Sequence, residues 1–224
     1  MHKIGTVYKL NITPEFSENE GEIAGIFAGD GSQYYEHKAG HYENNIDFGG
    51  HNYDYAVYVK SLFERFFKKN FMFRKETLGR YRLRTHSKEI YYFFKNYLDY
   101  TPQIKHCTVK LKSLEFPKEF KIGFLRGLLD TDGTVHFSKQ SKRHRIVFYT
   151  TSGELSKQIS AILNEIGVAN GVYVNKRKGR NEKPVYSVSV FSKYTDTFIN
   201  IVKPLKARLD GLVVKPGITR PWHG

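Results

Sequence analysis

The stretch EIAGIFAGDGS, residues 22–32, has a counterpart in FLRGLLDTDGT, residues 124–134. Both stretches have an apolar, helix-like pattern, and both end in an Asp-Gly pair, at Asp30 and at Asp132. Two equivalent motifs about one small domain apart indicate an internal duplication, which is among the most informative features a sequence can carry.

The residues that follow each motif repeat the same order of elements. After the first motif the pattern predicts strands at 32–36, 45–50, 71–75 and 79–85 and helices at 53–69 and 87–98. After the second it predicts strands at 134–139, up to 149, 171–177 and 185–191, and helices that begin at Ser152 and near Tyr194. The predicted fold class is α+β, with two pseudo-symmetric αββαββα halves at residues 1–100 and 117–224 and a linker at 101–116.

The charge of the chain points to a polyanionic partner. Lysine and arginine number 36 against 22 acidic residues, a formal net charge of +14. Nucleic acid is the first candidate, because neutralising phosphates releases counterions. A membrane is not expected, since no run of about 18 apolar residues and no apolar N-terminal stretch occurs. Cys107 is the only cysteine, which fits an intracellular, reducing setting without disulfides.

The two motifs, IAGIFAGDG at 23–31 and LRGLLDTDG at 125–133, resemble the signature of LAGLIDADG homing endonucleases, and the element order extends the resemblance over nearly the whole chain. It implies curved antiparallel sheets that form a DNA-binding saddle, with helices on the opposite face. It also implies a monomeric, intron-encoded enzyme that cuts both strands of a long, asymmetric DNA site with Mg²⁺ or Mn²⁺. The metal would be held by Asp30 and Asp132, with Gly29 and Thr131 beside them.

The residue types make sense without the family name. Small residues allow two helices to approach closely, and the first motif offers Ala24, Gly25, Ala28 and Gly29. In the second motif Gly127 and Thr131 remain, although Arg126 stands where alanine is expected. If the helices pack side by side, two carboxylates meet at two negative helix ends, which favours a bound divalent cation. Asp130 is interpreted as structural rather than as a ligand.

Alternating side chains predict the surface that contacts DNA. In RYRLR, residues 80–84, arginine alternates with bulky apolar residues, so one strand face is basic and the other apolar. Such a face offers donors to phosphates and to base edges. The predicted DNA-binding residues are Ser32, Tyr34, Glu36, Arg80, Arg82, Arg84, Thr134, His136, Ser138, Gln140, Arg143, Arg145, Asn175 and Arg177.

Further groups are expected near the scissile phosphate. The candidate catalytic residues besides the two aspartates are Lys206, Arg208 and Gln33, and weaker candidates are Lys105, Lys110, Lys112 and Thr150. No His/Cys metal cluster is predicted, and His37 and His41 are interpreted as surface or loop residues.

Four other functions stay open at this point. The same fold serves RNA maturases, which bind intron RNA, and DNA-binding regulators that do not cut. An unrelated basic RNA-binding or ribosome-associated protein would need neither Asp30 nor Asp132, but it would leave the duplication unexplained. The endonuclease domain of a self-splicing intein is also possible, although a free-standing protein is expected because no flanking splicing segments are recognisable.

Overall fold

The structure is a computed structural model that describes residues 14–48, 53–76, 79–138, 143–175 and 183–206, with only the backbone described at Ser138 and Arg143. Among these residues no helix is both long and apolar enough to cross a membrane.

The first half contains three helices and four strands in the predicted order. They are α1 (Glu18–Asp30), β1 (Gly31–Glu36), β2 (His41–Phe48), α2 (Tyr53–Phe67), β3 (Met72–Lys75), β4 (Tyr81–Thr85) and α3 (Lys88–Tyr97). The second half repeats this order with α5 (Lys118–Asp132), β7 (Gly133–Ser138), β8 (Arg143–Thr150), α6 (Gly153–Glu165), β9 (Asn170–Asn175), β10 (Val185–Val190) and α7 (Thr195–Val202). The predicted αββαββα repeat and the α+β class are therefore confirmed.

The two sheets have the same topology. The strand order is β1-β2-β4-β3 in one and β7-β8-β10-β9 in the other, and every neighbouring pair is antiparallel. The register is also equivalent, because Gly31 pairs with Ile46 and Gly133 pairs with Phe148. Each motif aspartate therefore stands directly before the first strand of its sheet, opposite the second strand.

Serine side chains cap the N-termini of three of the helices. Ser17 and Glu20 form a capping box at the start of α1, and Ser87 and Ser152 accept hydrogen bonds from Ile90 N and Leu155 N. These bonds satisfy amide groups that have no partner within the helix. The caps predicted at Ser87 and Ser152 are confirmed.

The segment that joins the halves has its own structure, which the sequence did not predict. It contains α4 (Lys105–Thr108) and β6 (Lys110–Leu111), and β6 pairs with β5 (Leu98–Asp99). Ser152 Oγ donates to Val109 O at 2.7 Å, and Gln158 bonds to the backbone of Leu111 through both of its amide atoms. The connection is therefore packed against α6 and brings Lys105 to a fixed position.

Candidate active site and nucleic-acid interface

Helices α1 and α5 pack against each other with almost no space between their backbones. A Cβ atom at Gly25 would lie 2.3 Å from Phe124 O, and one at Gly127 would lie 2.2 Å from Glu22 O. Gly21 and Gly123, outside the quoted motifs, extend the same contact by one turn. The close face therefore includes Gly21, Gly25 and Gly29, which follow one another at intervals of four residues.

Arg126, which stands where the motif has alanine, has a structural role in the contact between the two helices. Its guanidinium donates from Nη1 to Glu22 Oε2 at 3.0 Å, and it also pairs with Glu18, so it joins α5 to α1. Its Nε donates to Val202 O at 2.7 Å, and Tyr58 donates to the second oxygen of Glu22 at 2.6 Å. Glu22 is only 3% exposed, so this pair is a buried connection between the halves in which each guanidinium nitrogen donates one hydrogen bond.

The packing brings the carboxylates of Asp30 and Asp132 together at the ends of the two helices. Burial and the charge of Asp132 raise the pKa of Asp30 to about 7, although Lys105 and Lys206 act in the opposite direction. Burial also raises the pKa of Asp132 against the effect of the same two lysines. The site thus disfavours two negative charges when no cation is bound. A bound divalent cation would favour the ionised form of both acids.

Each helix end is capped by a lysine, which comes from the joining segment for α1 and from the residues after α7 for α5. Lys105 Nζ donates to the carbonyl oxygens of Phe27, Ala28 and Gly29 at 2.9, 2.5 and 2.9 Å. Lys206 Nζ donates to those of Leu129, Thr131 and Gly133 at 3.2, 3.2 and 2.7 Å. A cation is favourable at a helix C-terminus, and here it also lies beside a motif aspartate. The carbonyls of Gly29 and Thr131, predicted to lie at the metal, contact these ammonium groups.

Asp130 has a structural position. Its two carboxylate oxygens accept hydrogen bonds from Leu205 N at 2.8 Å and Lys206 N at 3.0 Å. Burial raises its pKa to about 6, although these two backbone bonds oppose the shift. Asp130 therefore holds the segment that carries Lys206, in agreement with its interpretation from the sequence.

Two of the predicted auxiliary groups are buried. Gln33 is buried: its amide donates to Asn44 Oδ1 at 2.6 Å and to Tyr91 O at 3.0 Å, and its oxygen accepts from Tyr100. Thr150 is also buried, and its hydroxyl accepts from Ser152 N at 3.0 Å. The Gln33 side chain lies toward α3, whereas Thr150 lines the same cleft as Gly29 and Asp132.

The first sheet presents a ladder of charged and polar side chains on the face away from the helices. Arg82 pairs with Asp47, and Arg84 donates to Asn45 Oδ1 at 2.9 Å and lies 3.4 Å from Glu43 Oε1. Ile46 and Leu83 are buried on the opposite face. The alternation predicted for β4 is therefore present, and the arginines are paired with acids on β2. Three further predicted residues, Tyr34, Glu36 and Arg80, are exposed, and Ser32 is half-buried.

The second sheet has an equivalent face. Thr134, His136, Arg145 and Asn175 are exposed, whereas Ile146 and Phe148 belong to the core. Of the remaining predicted contacts, Gln140, Arg177 and Arg208 lie outside the described residues, as do the side chains of Ser138 and Arg143. Of the lysines in the joining segment, Lys110 is 3.5 Å from Asp99 and Lys112 is exposed.

Two residues near the acids were not found from the sequence. Asp47 on β2 contributes to the raised pKa of Asp30, because the pairing of Gly31 with Ile46 brings it to the same end of the sheet. His106 lines a cleft of about 270 Å³ together with Gly29, Asp132 and Tyr149. Asp47 lies on the polar face of β2, where it pairs with Arg82, and the strand register shows that it neighbours Asp30.

Comparison with known proteins agrees with this arrangement. Residues 119–200 match the LAGLIDADG-like domain family. The homing endonuclease I-DmoI, solved in complex with DNA and Ca, has a TM-score of 0.63 at 22% identity, covering 88% of this chain and 100% of that chain. The N-terminal LAGLIDADG domain of DUF199/WhiA has a TM-score of 0.55 at 14% identity, covering 86% of each chain.

One curated relative is similar over a short segment. The ATP-dependent DNA helicase Hel308 of Thermococcus kodakarensis is 30% identical over 79 residues, which are 34% of this chain and 7% of the helicase. The present chain therefore corresponds to only a small part of that protein.

Residues 119–200 therefore match a LAGLIDADG-like domain, and over its two halves the chain has the fold of the homing endonuclease I-DmoI.

Proposed function

We propose that the protein is a site-specific DNA endonuclease that hydrolyses one phosphodiester bond in each strand of a long, asymmetric target. The observation that carries the proposal is the meeting of Asp30 and Asp132 at the junction of two sheets with exposed polar faces. We further propose that it acts as an intracellular, intron-encoded monomer, with halves at residues 1–100 and 117–224 joined by 101–116.

The donor set at the junction fits a divalent cation. Two carboxylates that are disfavoured as a pair of bare anions match the one or two carboxylates with which Mg²⁺ or Mn²⁺ is bound beside substrate phosphates. When bound, such an ion supplies a nucleophilic water and charge stabilisation for the leaving oxygen. Asp30 and Asp132 hold and orient it.

The two lysines have a positioning role in this proposal. Lys105 and Lys206 fix the ends of α1 and α5 through three carbonyl bonds each. They also offset negative charge beside the aspartates, and their ammonium groups favour approach of a phosphate. Because the pair is nearly symmetric, each lysine serves one half of the centre. Arg208 remains a proposed contributor next to Lys206.

Binding to DNA requires an exchange of partners on the first sheet. Arg82 and Arg84 are paired with Asp47 and Glu43, so phosphates and base edges must compete with these acids. Such competition favours sites where the arginine gains two bonds to a base, since each good bidentate pair discriminates by about 1–3 kcal/mol. The ladder therefore supports sequence specificity rather than general affinity.

The test is a cleavage assay on a genomic or randomised DNA library with Mg²⁺ or Mn²⁺. We expect the wild type to cut a recurring site, and Asp30→Asn and Asp132→Asn each to bind DNA without making double-strand breaks. Asp99→Asn is the matched control, because its carboxylate is 61% exposed and pairs only loosely with Lys110. Binding without cutting under both metals overturns the endonuclease proposal.

A non-cleaving nucleic-acid-binding protein is the second candidate. It is favoured by the lysine contacts, because Lys105 and Lys206 offset part of the negative charge of the two acids, and by the fold shared with the N-terminal LAGLIDADG domain of DUF199/WhiA. A preference for structured intron RNA over duplex DNA, unchanged in the Asp30→Asn and Asp132→Asn variants, would support this candidate.

A further inference from the structure

Three metal-binding side chains converge at the outer end of the first sheet, away from the paired aspartates. His41 and Glu43 are two residues apart on β2, so they project from the same face. β4 pairs with β2 through Asn44 opposite Thr85, and His86 directly follows that pair. All three residues therefore reach the polar face of the sheet.

The geometry is close to that of a coordination site. One ligand atom from each of His41, Glu43 and His86 lies within 4.8 Å of the others. The two imidazole rings have centroids 4.4 Å apart. Lys69 donates to the backbone carbonyl of His86 at 3.3 Å, which holds the backbone at this point. His86 is exposed, and the other two residues are half-buried.

We propose that His41, Glu43 and His86 bind a zinc ion. Two imidazoles and one carboxylate are a donor set that zinc uses when a fourth position is left open. Zinc–ligand bonds of about 2.0–2.2 Å require the three ligand atoms to approach to about 3.3 Å in tetrahedral geometry. Side-chain rotations provide this approach without a change in the strands, because all three side chains already face one another. The fourth position opens toward solvent.

The site has a consequence for the neighbouring arginine. Glu43 Oε1 accepts from Asn45 Nδ2 at 2.7 Å and lies 3.4 Å from Arg84 Nη2. A zinc ion draws on the same carboxylate, weakens that ion pair and makes Arg84 available to a phosphate or base. This coupling rests on the proposed DNA-binding function, whereas the metal site itself does not.

The experiment uses the full chain carrying Asp30→Asn and Asp132→Asn, so that the paired acids do not contribute to metal binding. Zinc is titrated by calorimetry, and Co²⁺ is titrated by visible absorption without DNA. We expect one zinc ion per chain and the intense ligand-field bands of tetrahedral Co²⁺. Adding His41→Ala or His86→Ala should weaken zinc binding at least tenfold and abolish the bands, and Glu43→Gln should weaken binding in the same direction.

His37→Ala is the matched control, because His37 lies in the same hairpin and is exposed but does not belong to the cluster. It should leave the affinity for zinc unchanged. The metal site is overturned if the His86→Ala chain binds zinc as tightly as its parent, or if the Co²⁺ spectrum stays that of the hydrated ion. These outcomes do not depend on the endonuclease proposal, since the experiment measures metal binding and not cleavage.

Zinc should also strengthen binding of duplex DNA severalfold in the chain with the intact cluster and not in the His86→Ala chain. Zinc binding without this effect overturns the coupling to Arg84 and leaves the metal site standing.

Discussion

At the scale of single residues, Asp30 is held where its ionised form is disfavoured. Burial and Asp132 raise its pKa from 3.8 to about 7. A carboxyl group whose pKa is higher in the folded than in the unfolded state lowers stability as the pH rises through this range. The loss of stability that comes from ionising Asp30 is absent below about pH 4 and complete above about pH 7.

We therefore expect Asp30→Asn to stabilise the metal-free protein at pH 8 by up to about 4 kcal/mol, since the pKa rises by about three units and each unit corresponds to about 1.4 kcal/mol. The free energy of unfolding is measured by denaturant titration with a chelator present. The difference from wild type should vanish at pH 4, and Asp99→Asn should show no such pH dependence. With a divalent metal present the order should reverse, because the ion stabilises only the chain that keeps both acids. Equal stability at pH 8 would contradict the assignment of Asp30 to a disfavoured pair.

The lysine caps give a second expectation at this scale. Lys105→Met removes three hydrogen bonds to the end of α1 and leaves buried carbonyl oxygens without these donors, so stability should fall by about 1–3 kcal/mol. Lys206→Met should have a similar effect on α5. Thermal unfolding in the absence of DNA measures both. Lys110→Met is the control, because that ammonium group is exposed and 3.5 Å from an exposed acid, and a loss as large for Lys110→Met would contradict the cap.

The sequence predicted the acids of the site better than their neighbours. Asp30 and Asp132 were found because the motif occurs twice in the same frame. Gln33 was predicted from its short distance along the chain to Asp30, and that distance does not tell which face of β1 packs against the helices. His86 and His41 were not associated, since their proximity depends on the register of β2 and β4, which alternation alone does not fix.

At the scale of elements, the contact between α1 and α5 depends on the absence of side chains. Gly25→Ala would place a Cβ 2.3 Å from a backbone oxygen of the other helix, so the helices must separate. We expect a loss of stability of about 2 kcal/mol or more, although alanine favours a helix by about 1 kcal/mol over glycine. Cleavage should fall more than DNA binding, because the two acids move apart.

Gly153→Ala is the control for this experiment, since a Cβ there would meet only the end of the Tyr186 side chain at 3.1 Å. Denaturant unfolding and cleavage are measured on both variants. A Gly25→Ala protein that unfolds and cleaves like the wild type would show that the helix contact is looser than described.

The element order was predictable because each amphipathic segment carries its own period, as in the buried Ile46 and Leu83 of the first sheet. The structure of the joining segment was not predictable in the same way. Its helix α4 has only four residues, too short to show a period, and its position is set by tertiary bonds to Ser152 and Gln158.

At the scale of the whole molecule, a net charge of +14 predicts strong salt dependence of DNA binding. Arg82→Gln should reduce the slope of log affinity against log salt by about one if Arg82 neutralises one phosphate. Affinity is measured by titration of duplex DNA at several salt concentrations. Arg65→Gln is the control, because Arg65 lies on α2, on the other side of the sheet, and its Nε donates to Ser61 O at 3.2 Å. Equal slopes for the two variants would place DNA elsewhere on the molecule.

The Arg126 cluster makes the contact between the halves one-sided, although the glycine contacts are nearly symmetric. In the motif alignment Arg126 corresponds to Ala24, and Glu18 and Glu22 correspond to Phe120 and Phe124. Two copies of the first half would face each other with four glutamates and no arginine, and two copies of the second half would bury arginine against phenylalanine. Only the pairing of a first half with a second half places an arginine opposite the glutamates. The charges on the two helices thus favour pairing of each half with the other half of the same chain. The same charges disfavour self-association of either half.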